Sequence, residues 1–265
     1  MLRLLTYLAP GLPLGLYEAI GDYLAARLDV DVELASDPSR SGPGPGSDDP
    51  FADGRADVGF VCGPSYSWMA HQGSVDLVRA APVHDDPRNG GGPVYFSELV
   101  VHRDAAYGSL ADLEGARAVF NDPSSLSGYH CLLDALAARE LTSDFFGSFE
   151  ASGSHHHSLA QIADGRADVA AIDANVLTLA RRDGLALPIR SIQTLGPFPV
   201  QPVVARRGLR EAPAIAEALL EMHHASGGEP LRRYGVLRFA PVEPEEYEAL
   251  HEATRLPSQE DAPPP

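Results

Sequence analysis

The sequence predicts an α/β protein of two similar lobes, and three observations carry that expectation. First, Ala52-Asp53-Gly54-Arg55-Ala56-Asp57-Val58 recurs unchanged as Ala163-Asp164-Gly165-Arg166-Ala167-Asp168-Val169, 111 positions later, so one supersecondary unit is used twice. Second, in each copy helically spaced apolar residues end at a glycine suited to a left-handed cap. A short apolar run follows, Val58 to Cys62 and Val169 to Ile172, which reads as helix, turn and buried strand. Third, Val94 to Leu99 and Phe198 to Val204 each join a turn-rich stretch to a long apolar strand and read as crossings between lobes. Lobe 1 is then discontinuous, residues 1–94 plus 203–256, and lobe 2 spans 95–202. The proline-rich 257–265 is expected to be a disordered tail.

The elements follow in order. Leu2 to Leu5 opens as a strand, Leu14 to Leu28 carries apolar residues at helical spacing, and Val30 to Leu34 alternates like a strand. Ser36 to Pro50 is dense in Pro, Gly, Ser and Asp and reads as a flexible loop on which little packs, ahead of a short helix into the first repeat copy. Leu77 to Ala81 is a strand candidate, Asp85 to Pro93 is turn-rich, and Val94 to His102 is a long strand. Asp104 to Leu113 forms a turn and short helix, and Ala116 to Phe120 a strand. A polar loop through Gly128 leads to a helix from Tyr129 to Arg139, with Leu132, Leu133 and Leu136 on one face. The second copy supplies helix Ser158 to Ala163 and strand Val169 to Ile172, followed by helix Ala174 to Arg182 and strand Arg190 to Leu195. Helix Ala212 to Ala225, then Leu231 to Gly235 and Tyr247 to Ala253, complete lobe 1.

Composition narrows the function. At 265 residues and 44% apolar the chain can bury a sizeable core, and no apolar run reaches the roughly 20 residues that span a bilayer, so no membrane insertion is expected. The formal charge is −17 and all 20 basic residues are arginine. That field repels nucleic acid, and without lysine no internal Schiff base can form, which excludes covalent pyridoxal phosphate chemistry. Cys62 and Cys131 have neither CxxC spacing nor a disulfide framework and read as core thiols. No secretory segment precedes the first strand, so the expectation is a cytoplasmic protein as the sequence stands, or a periplasmic or extracellular one if it is a trimmed mature form. A monomer without cofactor is expected.

In an open α/β sheet the carboxyl ends of the strands face the ligand crevice, which directs attention to Gly63-Pro64-Ser65-Tyr66 and Asp173-Ala174-Asn175. The clearest constellation is Pro123-Ser124-Ser125-Leu126-Ser127-Gly128-Tyr129, where free backbone N–H groups, serine donors and the positive end of a helix dipole coincide as an anion cradle. Simple capping by Ser125 or Ser127 is the competing explanation. In Gly153-Ser154-His155-His156-His157-Ser158, one histidine is expected to be a cleft donor and the others solvated loop residues. The spacing of His155 and His157 does not suit zinc, and no metal is expected. Asp173 either accepts hydrogen bonds from a ligand or caps the next helix, and Tyr66 is either a phenolic donor or packing. The Gly-x-Ser-x-Gly, P-loop and dinucleotide patterns are absent, which favours binding over turnover.

At this point the chain resembles the phosphate/phosphite/phosphonate substrate-binding proteins of ABC transporters. The resemblance rests on Gly54-Arg55-Ala56-Asp57-Val58 leading to Gly63-Pro64-Ser65-Tyr66, on Ser109-Leu110-Ala111-Asp112-Leu113-Glu114-Gly115, and on Asp122 to Tyr129. Gly153-Ser154-His155, Ser158-Leu159 and Gly165 to Asp173 continue it. It implies a type II periplasmic-binding-protein fold, each lobe a mixed sheet flanked by helices, closing about two hinge strands on a small anionic ligand delivered to an ABC permease. It also implies that Tyr66, Ser125, Ser127, His155 and Asp173 surround that ligand, and Gly128 and Tyr129 of the serine loop are expected to join them. Leu126 stands where the family usually has a hydroxyl residue, and the Ser41 to Gly46 loop replaces a region that typically contributes another tyrosine. The alternative is a cytoplasmic enzyme of the same fold, similar to the menaquinone-pathway dehydratase and cyclase, with one of His155, His156 or His157 as base near a bound carboxylate.

Overall fold

The computed structural model describes residues 1–184, 186–224, 227–248 and 250. The chain opens with β1 (Leu2–Thr6), α1 (Leu14–Leu28), β2 (Val32–Ser36), β3 (Val58–Phe60), α2 (Gly63–Gln72), β4 (Val75–Leu77) and β5 (Ala81–His84). It continues through β6 (Val94–His102), β7 (Arg117–Phe120), α3 (Cys131–Ala137), β8 (Ser148–Ala151), α4 (His155–Ala163), β9 (Val169–Asp173), α5 (Ala174–Arg182) and β10 (Ile189–Pro199). It returns with β11 (Val203–Arg206), α6 (Ala212–Glu221), α7 (Gly228–Arg233) and β12 (Val236–Ala240).

Two five-stranded mixed sheets have the same plan. The first has the order β2-β1-β3-β11-β4, with β1 parallel to both neighbours and β11 antiparallel to β3 and β4. The second runs β8-β7-β9-β6-β10, with β7 parallel to both neighbours and β6 antiparallel to β9 and β10. In each sheet the antiparallel fourth strand is the first one formed after a crossing. The crossings lie side by side, with Tyr95 opposite Phe198, Val94 opposite Pro199, and the Val200 N–H donating to the Pro93 carbonyl at 3.0 Å. A two-stranded sheet, β12 with β5, lies apart from both.

The repeated heptapeptide has one structural task in both sheets. Asp57 receives the Arg3 backbone N–H at 3.0 Å and its guanidinium Nε and Nη2 at 2.9 Å each, and its own N–H donates to the Arg3 carbonyl at 2.9 Å. Asp168 receives the same three donors from Arg117 at 2.8 to 3.0 Å and returns its N–H to the Arg117 carbonyl at 2.8 Å. Each aspartate therefore locks the start of the central strand to the start of its neighbour. Burial alone would raise the Asp57 carboxyl, but the arginine hydrogen bonds outweigh it and hold it below the ordinary carboxylate value. Gly54 and Gly165, at φ of 67° and 69°, make the left-handed turn into each strand.

Several sequence expectations change. The stretch ahead of the first heptapeptide is a turn rather than a helix, because only three residues separate Pro50 from Gly54. The strand expected over Leu77 to Ala81 splits into β4 and β5, which serve different sheets. Strands β8 and β12 are additional. The helix expected from Tyr129 starts earlier, as a π-helical turn over Leu126–His130 that feeds α3. The loop at 36–50 is packed: Ser41 donates its N–H to Ser124 Oγ at 3.2 Å and its hydroxyl to Asp122 at 2.6 Å, across to the second sheet's half. The expected tail, 257–265, and most of Tyr247 to Ala253 lie outside the described residues.

Candidate functional site

The carboxyl ends of β1, β3, β7 and β9 converge, as the open-sheet rule requires. Between them lies a cavity of about 60 Å3, the space of roughly four waters. One wall comes from the 7–12 turn after β1, from Pro38, Arg40 and Ser41, and from Cys62. The other comes from Asn121, Asp122, Ser125, Ser127, His155, Asp173 and Gln201.

Ser125 is the N-cap of the π-helical turn, and its Oγ accepts from the Gly128 N–H at 3.1 Å. Accepting there leaves its own hydroxyl proton uncommitted to that bond. Capping and donation are thus two uses of one side chain. Ser127 Oγ lies 3.3 Å from His155 Nε2, while His155 Nδ1 is buried without a partner. Burial pushes the His155 imidazole down to about 4, so it is neutral at pH 7. Gly128 is required by space: a Cβ there would stand 1.8 Å from Asn121 Oδ1 and 3.2 Å from His155 Cε1.

Asp173 is 2% exposed, caps α5 by accepting the Asn175 N–H at 2.7 Å, and accepts from Gln201 Nε2 at 2.6 Å. Burial raises its carboxyl to about 6. Asp122 has no spare acceptor capacity in the same sense, since Ser41, Asn121 and Ser124 supply it with four donors. Unpartnered Gln201 Oε1 and Asn121 Oδ1 join His155 Nδ1 as buried polar atoms of cavity residues that a bound group can reach or reorient.

Ser125, Ser127, His155 and Asp173 are brought together; Gly128 stands immediately behind them. Tyr66 and Tyr129 do not line this cavity. Tyr66 packs edge-on against Tyr247 at 5.3 Å in the core of the first half, and Tyr129 stacks on Phe149 at 5.6 Å beside Phe120. The histidine triplet is not a loop: Ser154 Oγ accepts the His157 N–H, which starts α4 at His155. His156 Nε2 meets the Pro10 carbonyl at 3.3 Å, and His157 is exposed. Among the described residues no group of three His, Cys, Asp or Glu is placed to hold a metal ion.

Arg40, Ser41, Asn121 and Gln201 are lining residues that sequence reasoning missed. Asn121 follows β7 directly, so the strand-end rule pointed to it. Arg40 and Ser41 were obscured by their proline- and glycine-rich surroundings. Leu126 faces the other way: it is 1% exposed and packs with Cys62, Tyr66 and Tyr247 in the core of the first half, while its N–H donates to Cys62 Sγ at 3.2 Å.

A family model described as ABC transporter, phosphonate, periplasmic substrate-binding protein matches residues 14–247. No curated protein matches the chain in sequence. Among solved structures, the fold is similar to that of PhnD1 from Prochlorococcus marinus in complex with methylphosphonate, at a TM-score of 0.78 and 17% identity over 96% of this chain and 97% of that one. It is similar to a binding-protein component of an ABC phosphonate transporter from Pseudomonas aeruginosa, at 0.77 and 14% identity over 95% and 84%. It is also similar to a Xanthomonas citri protein bound to ATP, at 0.72 and 17% identity over 96% of each chain. These likenesses establish the type II periplasmic-binding-protein fold. No described helix is long and apolar enough to cross a membrane.

Proposed function

We propose, on the premise that this chain belongs to the family of ABC-transporter phosphonate periplasmic substrate-binding proteins, that it captures a small phosphonate- or phosphate-like anion in the cavity between its lobes. Members of that family bind and deliver a substrate rather than transform it, so the dehydratase-like alternative loses its support. The observation that carries the proposal is the convergence of the Ser125 and Ser127 hydroxyls with a neutral, part-unsatisfied His155 in a cavity of about 60 Å3. That space suits a small anion of about five heavy atoms, such as methylphosphonate.

Capture works without a lysine. Ser125 donates its free hydroxyl proton to one anionic oxygen; Ser127 and His155 act as a pair on another. A neutral imidazole carries one ring proton, so the pair always holds a donor for the ligand whichever nitrogen bears it. Asp173 faces the same space, and with its carboxyl raised to about 6 it spends part of its population protonated at mildly acidic pH, when it donates instead of repelling. Closure then excludes water, which strengthens each of these polar contacts.

The lobes that close are residues 1–94 with 203–256 and residues 95–202, hinged where Val94 meets Pro199. A single chain supplies every group in the cavity, so a monomer suffices, with an ABC permease as receiver and the periplasm as its compartment. A thermal-shift screen of phosphate, methylphosphonate, sulfonates and aromatic carboxylates tests the reading. Methylphosphonate or phosphate at 100 times its dissociation constant adds about 2.7 kcal/mol of stability. A shift with carboxylates alone, and none with phosphorus oxyanions, contradicts it.

A further inference from the structure

Beside the anion cavity lies a larger one of about 500 Å3. Arg40 and Asp122 line both. The two are partitioned by Ser41, which reaches from the first half to Asp122 and Ser124 in the second through the hydrogen bonds described above. The walls of the larger cavity are unlike those of the smaller. Pro43, Pro45, Pro64 and Pro123 present rigid apolar faces around the half-buried Trp68. The polar groups are the exposed Arg40, which is the lining's one arginine, serines, the His71 and His130 imidazoles, and Asp122. Apolar walls, a few directed polar groups and this volume are the attributes of a site for an organic molecule of a dozen or more heavy atoms.

We propose that this cavity is a second ligand site, distinct from the anion cavity, that takes an aromatic carboxylate. The indole and prolines fit a ring and its aliphatic chain, an arrangement that rewards flat apolar surface. Arg40 selects the charge, since a guanidinium fork matches a carboxylate in shape as well as sign. The Asp122 carboxylate does not select a cation, because its two oxygens already accept from four donors. Trp68, Pro64 and Arg40 belong to the first half of the molecule, and Asp122, Pro123 and Ser124 to the second, so an occupant touches both and favours the closed arrangement. By linkage the two ligands then tighten one another, a coupling that rests on the anion-capture reading, whereas the second site itself does not.

Trp68 is the chain's single tryptophan, so its emission reports on this cavity directly. The full chain is titrated with 4-phenylbutyrate and with the uncharged 4-phenyl-1-butanol, by fluorescence and calorimetry, alongside methylphosphonate. The expected result is a saturable change in Trp68 emission with 4-phenylbutyrate, binding about tenfold tighter than the alcohol, and loss of its calorimetric binding in Trp68→Ala. If that variant does not fold, the exposed Arg40→Gln serves, with 4-phenylbutyrate weakened to the level of the alcohol. Unchanged emission and no heat from 4-phenylbutyrate while methylphosphonate binds overturns the second site, and equal affinity for acid and alcohol overturns the carboxylate. Binding of 4-phenylbutyrate without methylphosphonate supports the second site and refutes the anion-capture reading instead.

Discussion

The two copies of the Ala-Asp-Gly-Arg-Ala-Asp-Val unit end in the same clamp and lead to different chemistry. In both, the second aspartate, just ahead of the central strand, grips an arginine at the start of the strand beside it, Arg3 with Asp57 and Arg117 with Asp168. Beyond the clamp the copies part. Strand β3 delivers Cys62, whose buried thiol is pushed up to about 12 by desolvation and meets a backbone N–H of the other half. Strand β9 delivers Asp173, a buried carboxyl. The frame is duplicated and the site is not. Ser125, Ser127, His155 and Asp173 all sit in the second half, while the first supplies Ser41 and the apolar socket of Leu126. Duplication solves the folding problem twice, and divergence at the strand ends sets different groups on the two walls of the cavity.

That division can be broken by substitution. The largest effect on binding is expected from Gly128→Ala. Its Cβ has no room beside Asn121 and His155, and the forced shift of both should weaken methylphosphonate by about 100-fold, equivalent to roughly 2.7 kcal/mol. Calorimetry on the folded variant checks it, and unchanged affinity would mean that His155 is not held where the ligand needs it. Ser127→Ala comes next, with a loss of about 1 to 3 kcal/mol through an oxyanion left without its donor. Ser41→Ala, in the first half, should weaken binding less. An equal or larger loss at Ser41 would reverse the assignment of roles to the two halves.

Acidity sharpens the contrast further. Burial lifts Asp173 from 3.8 to about 6, so between those values the folded chain keeps a proton that the unfolded chain releases. The stabilisation this gives is complete below pH 3.8 and lost as pH climbs through 6. His155 and His84, both pushed from 6.5 to about 4 by burial, run the opposite way: their contribution is intact above pH 6.5 and lost as pH falls toward 4. Asp173→Asn should therefore stabilise the chain at pH 8, by on the order of 3 kcal/mol at most, and flatten the pH dependence of anion affinity between pH 5 and 8. Gln201 can turn its unpartnered Oε1 toward the new amide. Denaturant melts at the two pH values read the stability, and a variant as pH-sensitive as the parent would remove Asp173 from the account.

The smallest effect on affinity is expected from the clamps. Asp57→Asn and Asp168→Asn should lower Tm by a few degrees and leave methylphosphonate binding unchanged. Asp57 should cost more, because Arg206 also reaches it at 3.4 Å and its side chain is 7% exposed against 24% for Asp168. Equal melting temperatures for the two variants would show that the clamps are not graded by burial.

Much of this was legible in the sequence, for physical reasons. The repeat exposed the two-sheet plan because identical local chemistry builds identical turns. Serines between a strand end and a helix start pointed to Ser125 and Ser127, which line the cavity, because capping and anion binding call on the same donors. Tyr66 and Tyr129 were harder to place, since a tyrosine at a helix start serves packing and hydrogen bonding equally well and only the neighbours, Tyr247 and Phe149, decide. Arg40 and Ser41 were hidden because a loop rich in Pro and Gly reads as solvent-facing, whereas its contacts come from residues more than 80 positions away, which local pattern does not encode. Strands β8 and β12 are short edge or satellite strands whose pairing is set by the tertiary fold.

The most direct measurement is a calorimetric titration of the full chain with methylphosphonate at pH 7, repeated on the Ser125→Ala/Ser127→Ala double variant. Saturable binding of one anion per chain, abolished in a double variant that still melts cooperatively, is the predicted result. Absence of binding to the parent chain, or the same affinity in both proteins, would contradict the claim that these hydroxyls hold the ligand.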